Sequence, residues 1–128
     1  MEIGIVGNQT ILVTEELTAK HLGSGELAVY ATPCMIALME NASANSLLPY
    51  LAGDEGSVGT HLNVAHSAAT PIGMKVWAES TVTAVEGKKI TFDVVAYDEA
   101  GEIGRGTHER FIIKPEKFLA KCQAKLSR

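Results

Sequence analysis

A histidine on the apolar face of a strand must find a partner, and His66 sits in such a place. In the stretch GTHLNVAHSAATPIG, residues 59–73, Thr60, Leu62, Val64, His66 and Ala68 alternate with His61, Asn63, Ala65, Ser67 and Ala69. That period of two marks a strand with one face toward a core. An imidazole left unpaired there costs roughly 1–3 kcal/mol. Glu40 poses the converse problem. Its neighbours one turn away are Ile36, Ala37, Ser43 and Ala44, so its carboxylate projects from a small or apolar helix surface. The two groups answer each other's need, and an imidazole oriented by a carboxylate is a proton-transfer pair.

Thr32 lies eight residues before Glu40, roughly 80° away around a helix axis, so the two can share one side. Its hydroxyl also suits a helix N-cap, and the free N–H groups of that terminus favour an anionic or carbonyl oxygen. Cys34, in the same first turn, reads as a small buried hydrophobe. His61 points away from His66, so the two cannot share a metal from one strand. His108 and Arg110 in GTHERF fall on one strand face; Arg110 can neutralise an acid or a phosphate, and read alone it is a surface salt bridge. Gly59, ending the turn GDEGSVG, answers a backbone requirement when read alone.

One helix and a run of strands must position these groups. In ATPCMIALMENASANSLLPY, Thr32 caps, Pro33 occupies the first turn and Pro49 follows the end, which predicts a helix over about residues 33–48. Its alanines and serines keep it thin, and apolar residues on most of its circumference imply burial on more than one side. QTILVTEEL carries a short β-like start. After LAGDEGSVG come four β-like segments, about 60–69, 74–85, 89–97 and 104–113, separated by TPIG, VEGKK and DEAGE. Connections this short predict an antiparallel meander. PEKFLAKCQAKLSR reads as an exposed terminal helix. The order predicts one α+β domain over residues 1–128, with the helix packed across a curled sheet.

The 128 residues are 46% hydrophobic and 20% charged with a net charge of −4, so bulk charge gives no invitation to nucleic acid. No apolar run approaches the roughly 20 residues of a membrane span, and MEIGIVGNQT lacks the layout of a signal peptide, so a cytoplasmic protein with Cys34 and Cys122 reduced is expected.

The stretches ATPCMIALME, PYLAGDEGSVGTHLNVAHSAATPIG, VEGKKITFDVVAYDEAGEIGRGTHER and EKFLAK resemble the fluoroacetyl-CoA thioesterase family of hot-dog-fold proteins. The resemblance implies a long helix wrapped by a five-stranded antiparallel sheet, and a homodimer whose sheets join edge to edge. It matches the family's catalytic Thr, Glu and His to Thr32, Glu40 and His66, its substrate-contacting glycine to Gly59 and its active-site arginine to Arg110. The implied activity is hydrolysis of a small acyl-CoA, with coenzyme A as part of the substrate and no separate cofactor or metal. Glu40 would either attack the thioester to form an anhydride or act with His66 to activate water. A hot-dog protein that binds acyl-CoA or a small acid without turnover is the alternative.

One region departs from the pattern. Where the fluoroacetyl-specific enzymes carry a longer, aromatic lid before the catalytic threonine, HLGSGELAVY is short and has no Phe. Gly23 and Gly25 predict a mobile connection there, and hence weak discrimination among short acyl groups.

Overall fold

The computed structural model describes residues 1–127. Its elements are β1 (Val6–Leu12), α1 (Ala19–Leu22), α2 (Thr32–Leu47), β2 (Gly56–His66), β3 (Lys75–Glu86), β4 (Lys89–Asp98), β5 (Gly101–Ile113) and α3 (Pro115–Gln123). All five strands form one antiparallel sheet in the order β1-β3-β4-β5-β2. The expected meander therefore holds only for β3, β4 and β5. TPIG is no hairpin, because β2 pairs with β5 at one edge and the chain must cross the end of the sheet to reach β3.

Hydrogen bonds trace that crossing. Ser67 N–H donates to the Ile103 carbonyl of β5, and the Thr70 hydroxyl donates to buried Asp98 at the end of β4 (2.7 Å). Gly73 N–H then reaches the Val13 carbonyl (2.8 Å) before β3 begins. These bonds satisfy polar groups that a crossing chain would otherwise leave unpaired.

The strands pack as their alternation dictates. Ile90, Phe92, Val94 and Ala96 of β4 and Val76, Ala78 and Val82 of β3 point inward and are at most 2% exposed. Against them α2 lays Met35, Leu38, Met39, Ala42 and Leu47. That spacing is a single stripe. The expectation of a helix buried on several sides is thus corrected: Ala37, Asn41 and Asn45 lie exposed on one flank, and Ile36, Glu40 and Ala44 are half-buried on the other.

The start of α2 also differs from expectation. The Ala31 carbonyl accepts from both Cys34 N–H and Met35 N–H (3.0 Å each), so Ala31 is the N-cap and Thr32 the first helical residue. The Thr32 hydroxyl is thereby released from capping. Among the described residues no helix is long and apolar enough to cross a membrane.

Candidate active site

The released hydroxyl meets the histidine. Thr32 Oγ1 and His66 Nδ1 are 2.7 Å apart, joining the first turn of α2 to the last residue of β2. Thr32 is exposed and His66 half-buried. Tyr30, 2% exposed, sets its ring edge against the imidazole with centroids 6.5 Å apart. His66 Nε2 is buried and has no hydrogen-bond partner among the described residues. An unsatisfied ring nitrogen is costly as structure but is what a proton-transfer group requires. A cavity of about 290 Å³ opens here, walled by Thr32, His66, Tyr30, Ala19, Ser24, Val29 and Ala68.

The segment before Thr32 forms one side of this cavity, and backbone hydrogen bonds tie its two ends together. Ala19 N–H donates to the Val29 carbonyl (2.9 Å), Lys20 N–H to Leu27 (3.0 Å) and Ala31 N–H to Leu17 (2.9 Å). Gly23, at φ 77°, closes α1 in the left-handed conformation that glycine adopts without strain. The wall is built from small side chains, Ala19, Ser24 and Val29.

Glu40 occupies a second cluster. Its carboxylate lies 3.7 Å from Arg110 Nη1 and is 37% exposed. Glu40 thus touches water at a half-open helix edge, and its partner within this chain is Arg110 where the sequence suggested His66. Gly59 lies directly under this carboxylate: a Cβ there would collide with Glu40 Oε2 and stand 3.1 Å from His108 Cε1. Glycine at this position is a demand of close approach more than of turn geometry. A bulge between Gly59 and His61 puts Thr60 out of register, which lets Gly59 face the helix on the same side as Leu62.

Arg110 is 7% exposed, so the surface salt bridge expected from its sequence context is overturned. Burial lowers its pKa, and Glu40 opposes that shift. The guanidinium is held on three sides: Nε donates to Ser57 Oγ (2.9 Å), Nη2 to the Ser57 carbonyl (3.1 Å) and Nη1 to His108 Nε2 (3.2 Å). His108 Nδ1 in turn lies 2.9 Å from the His61 carbonyl, which can only accept, so the proton sits on Nδ1 and Nε2 is free to receive the arginine. His108 stacks on Phe92 and is fully buried.

The chain thus brings Thr32 to His66, and Gly59 and Arg110 to Glu40, but it does not join the two groups. Eight residues of helix separate Thr32 from Glu40 by about 12 Å along the axis. Sequence reasoning left Ser57, Tyr30 and His108 out of the site. His108 shares a strand face with Arg110, a visible signal; Ser57 carries none, because its contact depends on the β2–β5 pairing. His61 is exposed and contributes its carbonyl; the Cys34 thiol is pushed up by burial, as suits a packing residue. No cluster of metal-ligating side chains occurs among the described residues.

The sequence matches the fluoroacetyl-CoA-specific thioesterase family over residues 13–116. This chain belongs to that family. It is 41% identical to the fluoroacetyl-CoA thioesterase of Streptantibioticus cattleyicolor over 131 aligned positions, covering 98% of this chain and 94% of the relative. A structure of a phenylalanine-to-alanine variant of the fluoroacetyl-CoA-specific thioesterase FlK, in complex with fluoroacetate and CoA, superposes with a TM-score of 0.87. It is 39% identical, with 92% of this chain and 99% of that one covered. A hot-dog-like protein from Thermanaerovibrio acidaminovorans shares the fold at 21% identity, with a TM-score of 0.88 and coverage of 98% and 93%. The hot-dog arrangement of one long helix against five antiparallel strands is therefore common to all of them.

Burial lowers the pKa of both His66 and His108 below the ordinary imidazole value of 6.5; the Ala68 backbone opposes the shift at His66, and Arg110 adds to it at His108. Each is held neutral in the fold, while the unfolded chain binds their protons first as pH falls. Stability is then fully present above about pH 6.5 and declines as pH drops through that value toward the folded pKa values. The urea midpoint is expected to be lower at pH 5.5 than at pH 7.5, and an unchanged or higher midpoint at pH 5.5 would contradict this assignment.

Proposed function

We propose that this protein is a thioesterase that hydrolyses a small acyl-CoA to the free acid and coenzyme A, working as a homodimer. The observation that carries this reading is the 2.7 Å contact between Thr32 and His66 at the mouth of a cavity, with Nε2 of the imidazole unspent. Family membership supplies the substrate class: the relative in complex with fluoroacetate and CoA marks what such a cavity takes in that protein.

The two clusters combine if two copies pair through β2. That strand has β5 on one side and a free edge on the other, an edge that needs covering. Antiparallel pairing of β2 with its own copy sets the His66 end of one strand against the Gly59 end of the other. The partner subunit's Glu40, with its Gly59 and Arg110, then faces Thr32 and His66. In this arrangement the Gly59 N–H supports the carbonyl oxygen as negative charge develops. Glu40 either attacks the carbonyl carbon or takes a proton from the attacking water. In the water route a C–O bond to water forms, the C–S bond breaks, the sulfur leaves with the imidazole proton, and the proton that Glu40 took from water returns to the imidazole. In the anhydride route Glu40 is acylated as the thiol leaves with the imidazole proton, and water then cleaves the anhydride, releasing the acid, freeing Glu40 and restoring the imidazole proton.

Release of free thiol from a panel of short, branched, aromatic and halogenated acyl-CoAs tests the activity. Turnover of at least one short member is expected; no release from any would favour an acyl-CoA-binding protein without catalysis. Selectivity follows from the cavity wall. Ala19, Ser24 and Val29 are small, and a methylene in an apolar pocket is worth only about 1–3 kcal/mol of discrimination. Acetyl-CoA and fluoroacetyl-CoA should therefore differ in kcat/KM by well under about 10⁴-fold, beyond what simple pocket fit supplies. A larger preference for fluoroacetyl-CoA would show that another element supplies the discrimination.

A further inference from the structure

The charge of this chain is unevenly placed. Five of its eleven Lys and Arg residues lie between Lys114 and Arg128, a segment that holds one of the fifteen acidic residues. A basic segment on an otherwise acidic chain suggests an anionic ligand. Most of that segment is α3, which is exposed along its whole length. Lys117 and Lys121 are one turn apart on a common face, and among the described residues no carboxylate lies within ion-pair distance of either. Lys114, by contrast, is spent on Asp54 at 2.7 Å, a pair whose field Lys117 only adds to. Phe118, 42% exposed, lies one turn before Lys121 and offers an aromatic face beside the charges.

The root of α3 is close to the candidate site. Pro115 packs on Gly56, three residues before Gly59 on the same edge strand, a separation of about 10 Å at the rise of a β-strand. A thioester whose carbonyl sits at Gly59 must lead its phosphate-bearing end away from the reacting carbon, and α3 is a basic surface rooted beside Gly56 on the same strand. From this placement we infer that α3 binds the phosphate groups of coenzyme A through Lys117 and Lys121, with Phe118 giving the adenine a stacking face. The inference rests on the thioesterase reading for its ligand. It predicts that the helix contributes to substrate affinity and not to the chemical step.

The test compares two substrates that share an acyl group. S-acetyl-N-acetylcysteamine carries the thioester without the nucleotide, whereas acetyl-CoA carries both. In the Lys117→Glu/Lys121→Glu variant, KM for acetyl-CoA is expected to rise about tenfold or more with kcat unchanged, since charge reversal removes phosphate attraction. The wild-type KM should climb between about 50 and 200 mM salt, and the variant should lose most of that slope. Hydrolysis of the cysteamine thioester should be unaltered. An unchanged KM for acetyl-CoA, or equal losses on both substrates, would overturn the inference. So would binding of the wild type to anionic vesicles with no change in KM, which would assign the basic helix to a membrane surface. If the wild type turns over neither thioester, the catalytic reading fails by itself. Calorimetry with free CoA then decides the inference: at least about tenfold weaker binding in the variant supports it, and equal binding overturns it.

Discussion

Replacement of His66 by alanine is expected to lower kcat by about 10²–10⁴-fold, the range of a lost proton-transfer group. Among the described residues that wall the cavity, the imidazole is the one group that exchanges a proton near neutral pH, and it lies against Thr32. Its own fold contribution is small by comparison. It is half-buried at the end of an edge strand, and its removal leaves the Thr32 hydroxyl exposed to water, where it is not orphaned. The variant should therefore keep its thermal midpoint within a few degrees, while thiol release nearly stops. A folded His66→Ala protein with near-normal turnover would remove the residue from the mechanism.

Glu40→Gln is expected to cost at least about 100-fold in kcat. The amide keeps the shape of the side chain above Gly59 but can neither attack a carbonyl nor accept a proton from water. It also ends the ion pair with Arg110, yet that guanidinium keeps its bonds to Ser57 and His108, so the cluster stays assembled. KM should change much less than kcat, because the carboxylate is assigned to the transition state and not to substrate affinity. A rise in KM with kcat preserved would make Glu40 a binding residue.

The long helix was legible because Pro33 and Pro49 bracket it, and the strands because their apolar residues alternate. Thr32, Glu40, His66, Gly59 and Arg110 were readable as a set through resemblance. Their arrangement was not. Whether β2 pairs with β3 or β5 is decided by a crossing whose bonds, Ser67 to Ile103 and Thr70 to Asp98, join residues 28 or more apart in sequence. That crossing carries Ser57 and Gly59 to the side of Arg110 and buries a charge that local context had left at the surface. The N-cap shows the same limit on a smaller scale. Thr32 is a good capping residue, but a partner 34 positions away takes its hydroxyl, and the backbone of Ala31 begins the helix instead. Tyr30 escaped notice because a lone aromatic two residues before the helix reads as core until its ring is seen against His66.

The central claim is that one site draws Thr32 and His66 from one subunit and Glu40 from the other. It is tested most directly by mixing the two inactive variants, His66→Ala and Glu40→Gln, under conditions that let subunits exchange. In a mixed dimer, one of the two sites pairs the intact His66 of one chain with the intact Glu40 of the other. Random pairing in an equimolar mixture then restores about a quarter of wild-type thiol release, since half of the dimers are mixed and each has one complete site. Activity that stays at the level of the separate variants after exchange is complete would contradict the shared site.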